Sequence, residues 1–322
     1  MKRLVAVLVG LTLVFLYASV LPAQPKLKAG VLRIVSTLPF YMALHKKFFL
    51  AEGIRVELEY VAGGAKALPA VAGGSLHMAQ SNYISLIMAH KRGMDFVLIA
   101  PINRNKMYVT GPKPEDGSPI MVRKDSGITS VKGLKGKILA VNTRRNINHL
   151  YMAEWLAQSG VHPEKDVKWI EVPFPRIGPV VRSGQAAAGF YTEPFVTLER
   201  GRGGMRIIGY PYAEVEKGRP LEISGFVSSR SWVEKNKANV ERFVRGFYRG
   251  QEFTNAHPEE WPAVIGKYTR VKPQLLKKMR LWNWHHPVDL KSLQHQADLA
   301  LKWEVIESRV DVKSFVYPTA LR

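Results

Sequence analysis

The chain has 322 residues, a formal charge of +21 and no cysteine. The missing cysteine excludes disulfide frameworks, thiolate metal sites, thiol nucleophiles and a lipid-modified anchoring cysteine, and a chain this long can bury a core without them. The positive excess bears on solubility and adhesion rather than fold. It is scattered in small groups (Lys132, Lys135 and Lys137; Arg144 and Arg145; Arg200 and Arg202; Lys277, Lys278 and Arg280), with no basic helical stripe and no nucleic-acid motif. Nucleic acid is therefore not an expected partner.

Lys2 and Arg3 precede an apolar run from Leu4 to Leu21, broken by Pro22, Ala23 and Gln24. A charged start, an apolar centre and a small residue at the break read as a signal peptide over 1–23, cleaved after Ala23, and hence as export to the periplasm. The alternative is an uncleaved membrane anchor, since the run approaches the span of a bilayer. Val31 to Val35 is β-branched and predicts a strand, and Tyr41 to Ala51 predicts a helix stopped near Gly53. A strand over 54–60, a helix over 65–71, a short strand over 77–80, a helix over 81–91 and a buried strand over 96–100 follow. The pattern restarts with strands at 120–123 and 138–141, a helix over 149–158, a strand over 167–172, a helix over 176–183, and strands at 187–190 and 207–209. Regular alternation of strand and helix implies parallel, doubly wound α/β sheets. After one more strand at 222–228, residues 232–301 carry an almost wholly helical pattern. Two α/β units of this size suit two domains.

Three stretches carry a family resemblance: FYMALHKKFFLAEGIRVELEYVAGGAKALPAVAGGSLHMAQSNY (Phe40–Tyr83), KGLKGKILAVNTRRNINHLYMAEWLAQSGV (Lys132–Val161) and VRSGQAAAGFYTEP (Val181–Pro194). In order and spacing the chain resembles the substrate-binding proteins of ABC importers, in the group that includes nitrate, sulfonate, taurine and thiamine-pyrimidine-precursor binders. His77 and Ala187 stand where the family usually has an acidic residue, and "NTRRN" replaces its usual small turn after Val141. The resemblance implies the type 2 periplasmic binding protein fold: two lobes joined by two crossovers, with ligand in the cleft between them. The expected division is 24–118 with 226–322 as the first lobe, the helical tail packed on it, and 119–225 as the second.

In open α/β sheets ligands sit beyond the carboxyl ends of the strands, where helix N-termini offer free N–H groups. That rule selects Ser36, Thr37, Pro39 and Tyr41, then Gly63, Gly64, Ser81 and Asn82 in the first lobe. In the second it selects Asn142, Thr143, Arg144, Arg145 and Asn146, then the loop from Tyr191 through Thr192 to Glu193. Thr37, Ser81 and Asn146 are also ordinary helix-capping types, and Gly63-Gly64 is also an ordinary turn. A cleft-facing Arg144 or Arg145 would grip a carboxylate or sulfonate with two parallel bonds; the plainer alternative is a pair of solvated arginines. Tyr41, Tyr83 and Tyr191 would stack on a planar or apolar ligand or simply pack in the core.

His285, His286 and His295 lack carboxylates at metal-binding spacing, and no dinucleotide, P-loop or nucleophile-elbow motif occurs. No cofactor, metal or catalytic residue is expected. The reading is a monomeric, non-enzymatic solute carrier that captures a small organic molecule, anionic or heterocyclic, and hands it to a membrane permease. Two alternatives are an enzyme on the same scaffold acting on a pyrimidine-like compound, whose cysteine-rich motif this chain lacks, and a basic nucleic-acid or lipid binder.

Overall fold

The structure, a computed structural model, describes residues 24–106, 115–269 and 271–322; the expected signal segment 1–23 lies outside them. The first sheet is built from β1 (Lys26–Val31), β2 (Arg55–Tyr60), β3 (Met78–Asn82) and β4 (Phe96–Arg104). Between these strands run helices α1 (Leu38–His45), α2 (Phe48–Ala51), α3 (Gly64–Ala72) and α4 (Tyr83–Lys91). The chain then crosses to a second sheet formed by β5 (Ile120–Arg123), β6 (Ile138–Val141), β7 (Lys168–Glu171), β8 (Ala188–Phe190) and β9 (Met205–Gly209). Its helices are α5 (Ile147–Gln158), α6 (Phe174–Arg182) and α7 (Phe195–Arg202). A second crossing through α8 (Pro211–Glu216) returns the chain as β10 (Glu222–Ser229) to the first sheet. The tail carries α9 (Arg230–Lys235), α10 (Lys237–Ala256), α11 (Trp261–Thr269), α12 (Pro273–Leu276) and α13 (Leu290–Lys302).

The strand orders are β2-β1-β3-β10-β4 and β7-β6-β8-β5-β9. The wholly parallel expectation needs one correction per sheet: β10 runs antiparallel to β3 and β4, and β5 antiparallel to β8 and β9. The cause is the crossing itself. A strand arriving from the other lobe starts at the end of the sheet facing that lobe, where the resident parallel strands finish, and inserts between two of them.

Some boundaries also move. The first strand occupies 26–31 rather than 31–35, because Lys26 and Lys28 alternate with buried Leu27 and Ala29 and pair with Glu57 (3.5 Å) and Glu59 (3.7 Å) of β2. The helix expected over 41–51 is two, broken at Lys47, whose φ of 60° is left-handed. Within the supposedly helical tail, residues 277–289 form a strap instead. Backbone bonds between Asn283 and Arg104 pin it to the end of β4 (2.9 and 3.2 Å).

Apolar faces explain how the tail packs. Phe243 and Phe247 of α10 meet Phe226 of β10, and Phe243 also stacks on Phe49. Gly246 and Gly250 let α10 approach closely: a Cβ on Gly250 would lie 2.4 Å from the Pro39 carbonyl oxygen. The tail also reaches the second lobe, where α12 touches α7. No helix among the described residues is long and apolar enough to cross a membrane.

Asp116, on the first crossing, joins the two crossings. Its carboxylate accepts the N–H of Ser118 (2.6 Å) and of Ala213 in α8 (3.0 Å). Burial pushes its acid up to about 7 against the pull of these two bonds. Asp116→Asn sets an amide nitrogen against one donor and is expected to destabilise the protein by about 1–3 kcal/mol in denaturant unfolding. Because the folded-state value is raised, the stability carried by the wild-type acid declines as pH rises from about 4 through about 7. The gap between wild type and variant should therefore narrow toward pH 8, roughly.

Candidate ligand site between the lobes

The carboxyl ends of β1, β2 and β3 face those of β6, β7 and β8 across a cavity of about 60 Å³. Leu32, Ile34 and Ser36 follow β1, Gly64 follows β2, and Gln80, Ser81 and Asn82 close β3. From the facing lobe come Asn142, Asn146, Ile147 and Asn148 after β6, Phe174 after β7 and Thr192 after β8. Ser118, Tyr212, Ile223 and Ser224 enter from the crossings and the starts of their strands, and Trp282 from the strap.

Three helix N-termini converge here, those of α3, α4 and α5. Gly64 begins α3 directly over β3: a Cβ there would lie 2.7 Å from the Ser81 Cα. Asn82 caps α4, its Oδ1 accepting Ser85 N–H at 3.0 Å, and the same oxygen accepts Ile147 N–H of α5 at 3.3 Å. Asn146 caps α5 through His149 N–H (3.0 Å). Asn142 Oδ1 receives amide protons from Asn146 (2.9 Å) and Asn148 (2.6 Å), and Asn148 Oδ1 accepts the Tyr212 hydroxyl. Gln80 Oε1 holds Leu32 N–H (3.1 Å) and the Thr37 hydroxyl (2.8 Å). Among the described residues, none lining the cavity carries a formal charge.

Of the residues expected from sequence, Ser36, Gly64, Ser81, Asn82, Asn142, Asn146 and Thr192 line the cavity. Others stand one layer back. Tyr41 donates to the Leu32 carbonyl (2.9 Å) and the Thr37 hydroxyl shares its one proton between that carbonyl and Gln80 Oε1 (2.8 Å to each), fixing the loop after β1; Tyr41 stacks on Tyr268 rather than facing the cleft. Pro39 is buried in the first turn of α1. Gly63 lies against Thr143 of the opposite lobe, and the Thr143 hydroxyl turns back to the Asn142 carbonyl (2.7 Å). Tyr191 is buried in the second lobe's core, where burial raises its hydroxyl far above the ordinary value. Buried Glu193 accepts from the Thr197 N–H and hydroxyl and the Arg280 N–H; burial pushes its acid up to about 7.

Arg144 and Arg145 are exposed and do not line the cavity. After Asn142 the loop turns outward: Arg144 N–H bonds Glu171 (2.9 Å), its guanidinium pairs with Glu164 (3.3 Å), and Arg145 is left-handed (φ 55°). They still act at short range, because burial first and then both arginines hold His149 down to about 4. His285 and His295, considered above as metal ligands, pair instead with Glu222 (2.9 Å) and Glu216 (3.3 Å).

Sequence reasoning missed Gln80 and Asn148, each adjacent to or within two residues of a selected position. It also missed Ser118, Ile223 and Ser224, which an antiparallel reading of β5 and β10 would have found. Tyr212 and Trp282 leave no local signal.

Two lobes with facing strand ends, doubly crossed and closed over a cleft, define the periplasmic binding protein class of fold. The NMT1/THI5-like family model matches residues 35–261, more than half of the chain, and the chain belongs to that family. It is 25% identical over 280 residues to a putative aliphatic sulfonates-binding protein of Bacillus subtilis (strain 168), covering 85% of this chain and 80% of that one. The alkanesulfonate-binding protein SsuA of Xanthomonas axonopodis pv. citri, bound to MOPS, superposes with a TM-score of 0.74 at 18% identity over 92% of this chain and 98% of its own. The nitrate-binding protein NrtA of Synechocystis PCC 6803 gives 0.74 at 15% identity, over 90% and 84%.

The lobes are latched away from the cavity as well. Glu154 of α5 accepts from Lys302 Nζ (2.7 and 2.9 Å), at the end of α13, and from the Trp303 indole (2.7 Å). Burial works to raise the Glu154 acid, and the bonds from Lys302, Gln158 and Trp303 outweigh it, holding the carboxyl below its ordinary value. Lys302→Ala combined with Trp303→Phe strips two donors from this carboxylate. The change disfavours the closed arrangement by about 1–3 kcal/mol relative to an open one in which Glu154 is hydrated. The radius of gyration of the ligand-free protein in small-angle X-ray scattering should rise; an unchanged radius means the contact does not hold the lobes.

Proposed function

We propose that this chain is the solute-binding component of an ABC importer, exported to the periplasm, where it traps a small organic oxyanion between its lobes and delivers it as a monomer to a membrane permease. The observation that carries the reading is an uncharged cavity onto which three helix N-termini converge. Each terminus presents N–H groups and a partial positive charge, which favour an anion without a counter-charge. Contacts to both lobes at once give the ligand its differential affinity for the closed state. The sulfonate- and nitrate-binding relatives support the same ligand class. The cavity has room for on the order of five water-sized groups, the size of a short sulfonate; a longer one needs the lobes to part.

Gly64, Ser81, Asn82, Asn142 and Asn146 form the polar wall in this account, with Leu32, Ile34, Phe174 and Ile223 meeting the apolar end. Arg144 and Arg145 act through the field at the mouth, speeding encounter rather than gripping the ligand. The wall offers no His, Lys, Asp or Glu among the described residues to move a proton, which favours carriage over the pyrimidine-directed enzyme weighed above.

Ethanesulfonate should raise the melting temperature in a thermal-shift assay, because a ligand of the folded state stabilises by mass action. Taurine, which adds an ammonium group to the same skeleton, should shift it far less, since no wall carboxylate would neutralise that charge. Asn142→Asp keeps an acceptor for the Asn146 and Asn148 amides while adding a negative charge. It should fold normally and lose ethanesulfonate binding; retained binding overturns the anion reading.

A further inference from the structure

We infer that Trp282 reads the ligand, its indole N–H donating to an acceptor atom on the bound solute. The inference rests on the proposed solute site and adds a specificity-determining residue from the strap, outside both sheets. Trp282 is 5% exposed and lines the cavity, yet its Nε1 has no hydrogen-bond partner. Among the described residues it is the one cavity-wall side chain with a sealed, unpartnered polar atom; the others in that condition, including His149 and Tyr191, lie off the wall.

The neighbouring indole shows the contrast. Trp284, two residues on, donates its Nε1 to the Ser36 carbonyl at 3.0 Å. The amides on the facing wall are engaged with one another or with helix starts, as described above. A buried donor without an acceptor is rare in a folded protein because the lost solvation is not recovered. Trp282 Nε1 is such a donor, buried and without a protein acceptor; an acceptor on a bound solute would satisfy it.

The position of Trp282 gives the contact a reach beyond one bond. On one side of it, Arg280 N–H bonds Glu193 of the second lobe (3.2 Å). On the other, Asn283 pairs with Arg104 and Trp284 with Ser36 of the first. The flat ring lies over Gly117 of the first crossing, where an added Cβ would be 4.0 Å from Cε2 and Cζ2. A solute on Nε1 therefore touches a segment tied to both lobes beside the crossings. An indole N–H donates and never accepts, so the solute atom there is an oxygen or an unprotonated nitrogen. An ammonium or amide N–H at that end is rejected.

The test is calorimetric titration of ethanesulfonate and of nitrate into the wild type, Asn142→Asp, Trp282→Phe, and a protein carrying β-(3-benzothienyl)alanine in place of Trp282. The last keeps the ring shape and exchanges N–H for sulfur. Both position-282 replacements are expected to weaken binding by about tenfold or more. The isostere should leave the melting temperature of the ligand-free protein unchanged or higher, an outcome that a merely structural indole bond would not give. If the isostere binds within about twofold of wild type, the Trp282 inference fails and the solute-binding reading stands. If neither probe binds the wild type, or if Asn142→Asp binds as tightly, the reading of the site fails and the inference with it.

Discussion

The architecture turns on one oxygen shared by two helices. Asn82 Oδ1 caps its own helix in the first lobe and accepts the leading N–H of the facing helix in the second. Helix starts carry partial positive charge and repel when aimed at each other; an acceptor between them makes the opposition tolerable. It leaves the remaining N–H groups directed at whatever enters the cavity. The same arrangement explains why the wall holds amides and hydroxyls instead of charges: an arginine there would add a second positive source to one the backbone already supplies.

Around that centre the molecule is held by contacts that do not depend on the ligand. Asp116 joins the two crossings, Glu193 joins the second lobe to the strap, and Glu154 joins α5 to the end of α13. All three are carboxylates at seams between lobes, where donors from separate parts of the chain meet. Their surroundings differ, and so do their acidities. Asp116 and Glu193 are so enclosed that burial dominates and raises both to about 7. Glu154, bridged by a lysine that reaches solvent, is held low. Acidification therefore favours the protonated acids at Asp116 and Glu193 and weakens the latch at Glu154.

Periodicity and turn chemistry determined which segments are strands and helices, and the restart of the pattern near residue 120 determined that there are two sheets. Strand ends mark binding loops in any open α/β sheet, so Ser36, Gly64, Ser81, Asn82, Asn142, Asn146 and Thr192 were legible as cavity residues without coordinates. Their local neighbours fix them: glycine where a helix start lies on a strand, asparagine where a helix needs a cap. The direction of β5 and β10 was not legible, because a strand's sequence is the same whichever way it is entered, and that cost the reading Ser118 and Ser224.

Tertiary structure decided which side of each loop faces the cleft. The sequence offers Arg144 and Arg145 as the obvious anion ligands, but Glu164 and Glu171, distant in the chain, draw that loop outward. Conversely, Tyr212 and Trp282 reach the cavity from a crossing helix and a strap whose paths are set by packing against both lobes. Side-chain type is a local property written in the sequence. Exposure to a shared cavity depends on two distant surfaces meeting, and only the folded chain brings them together.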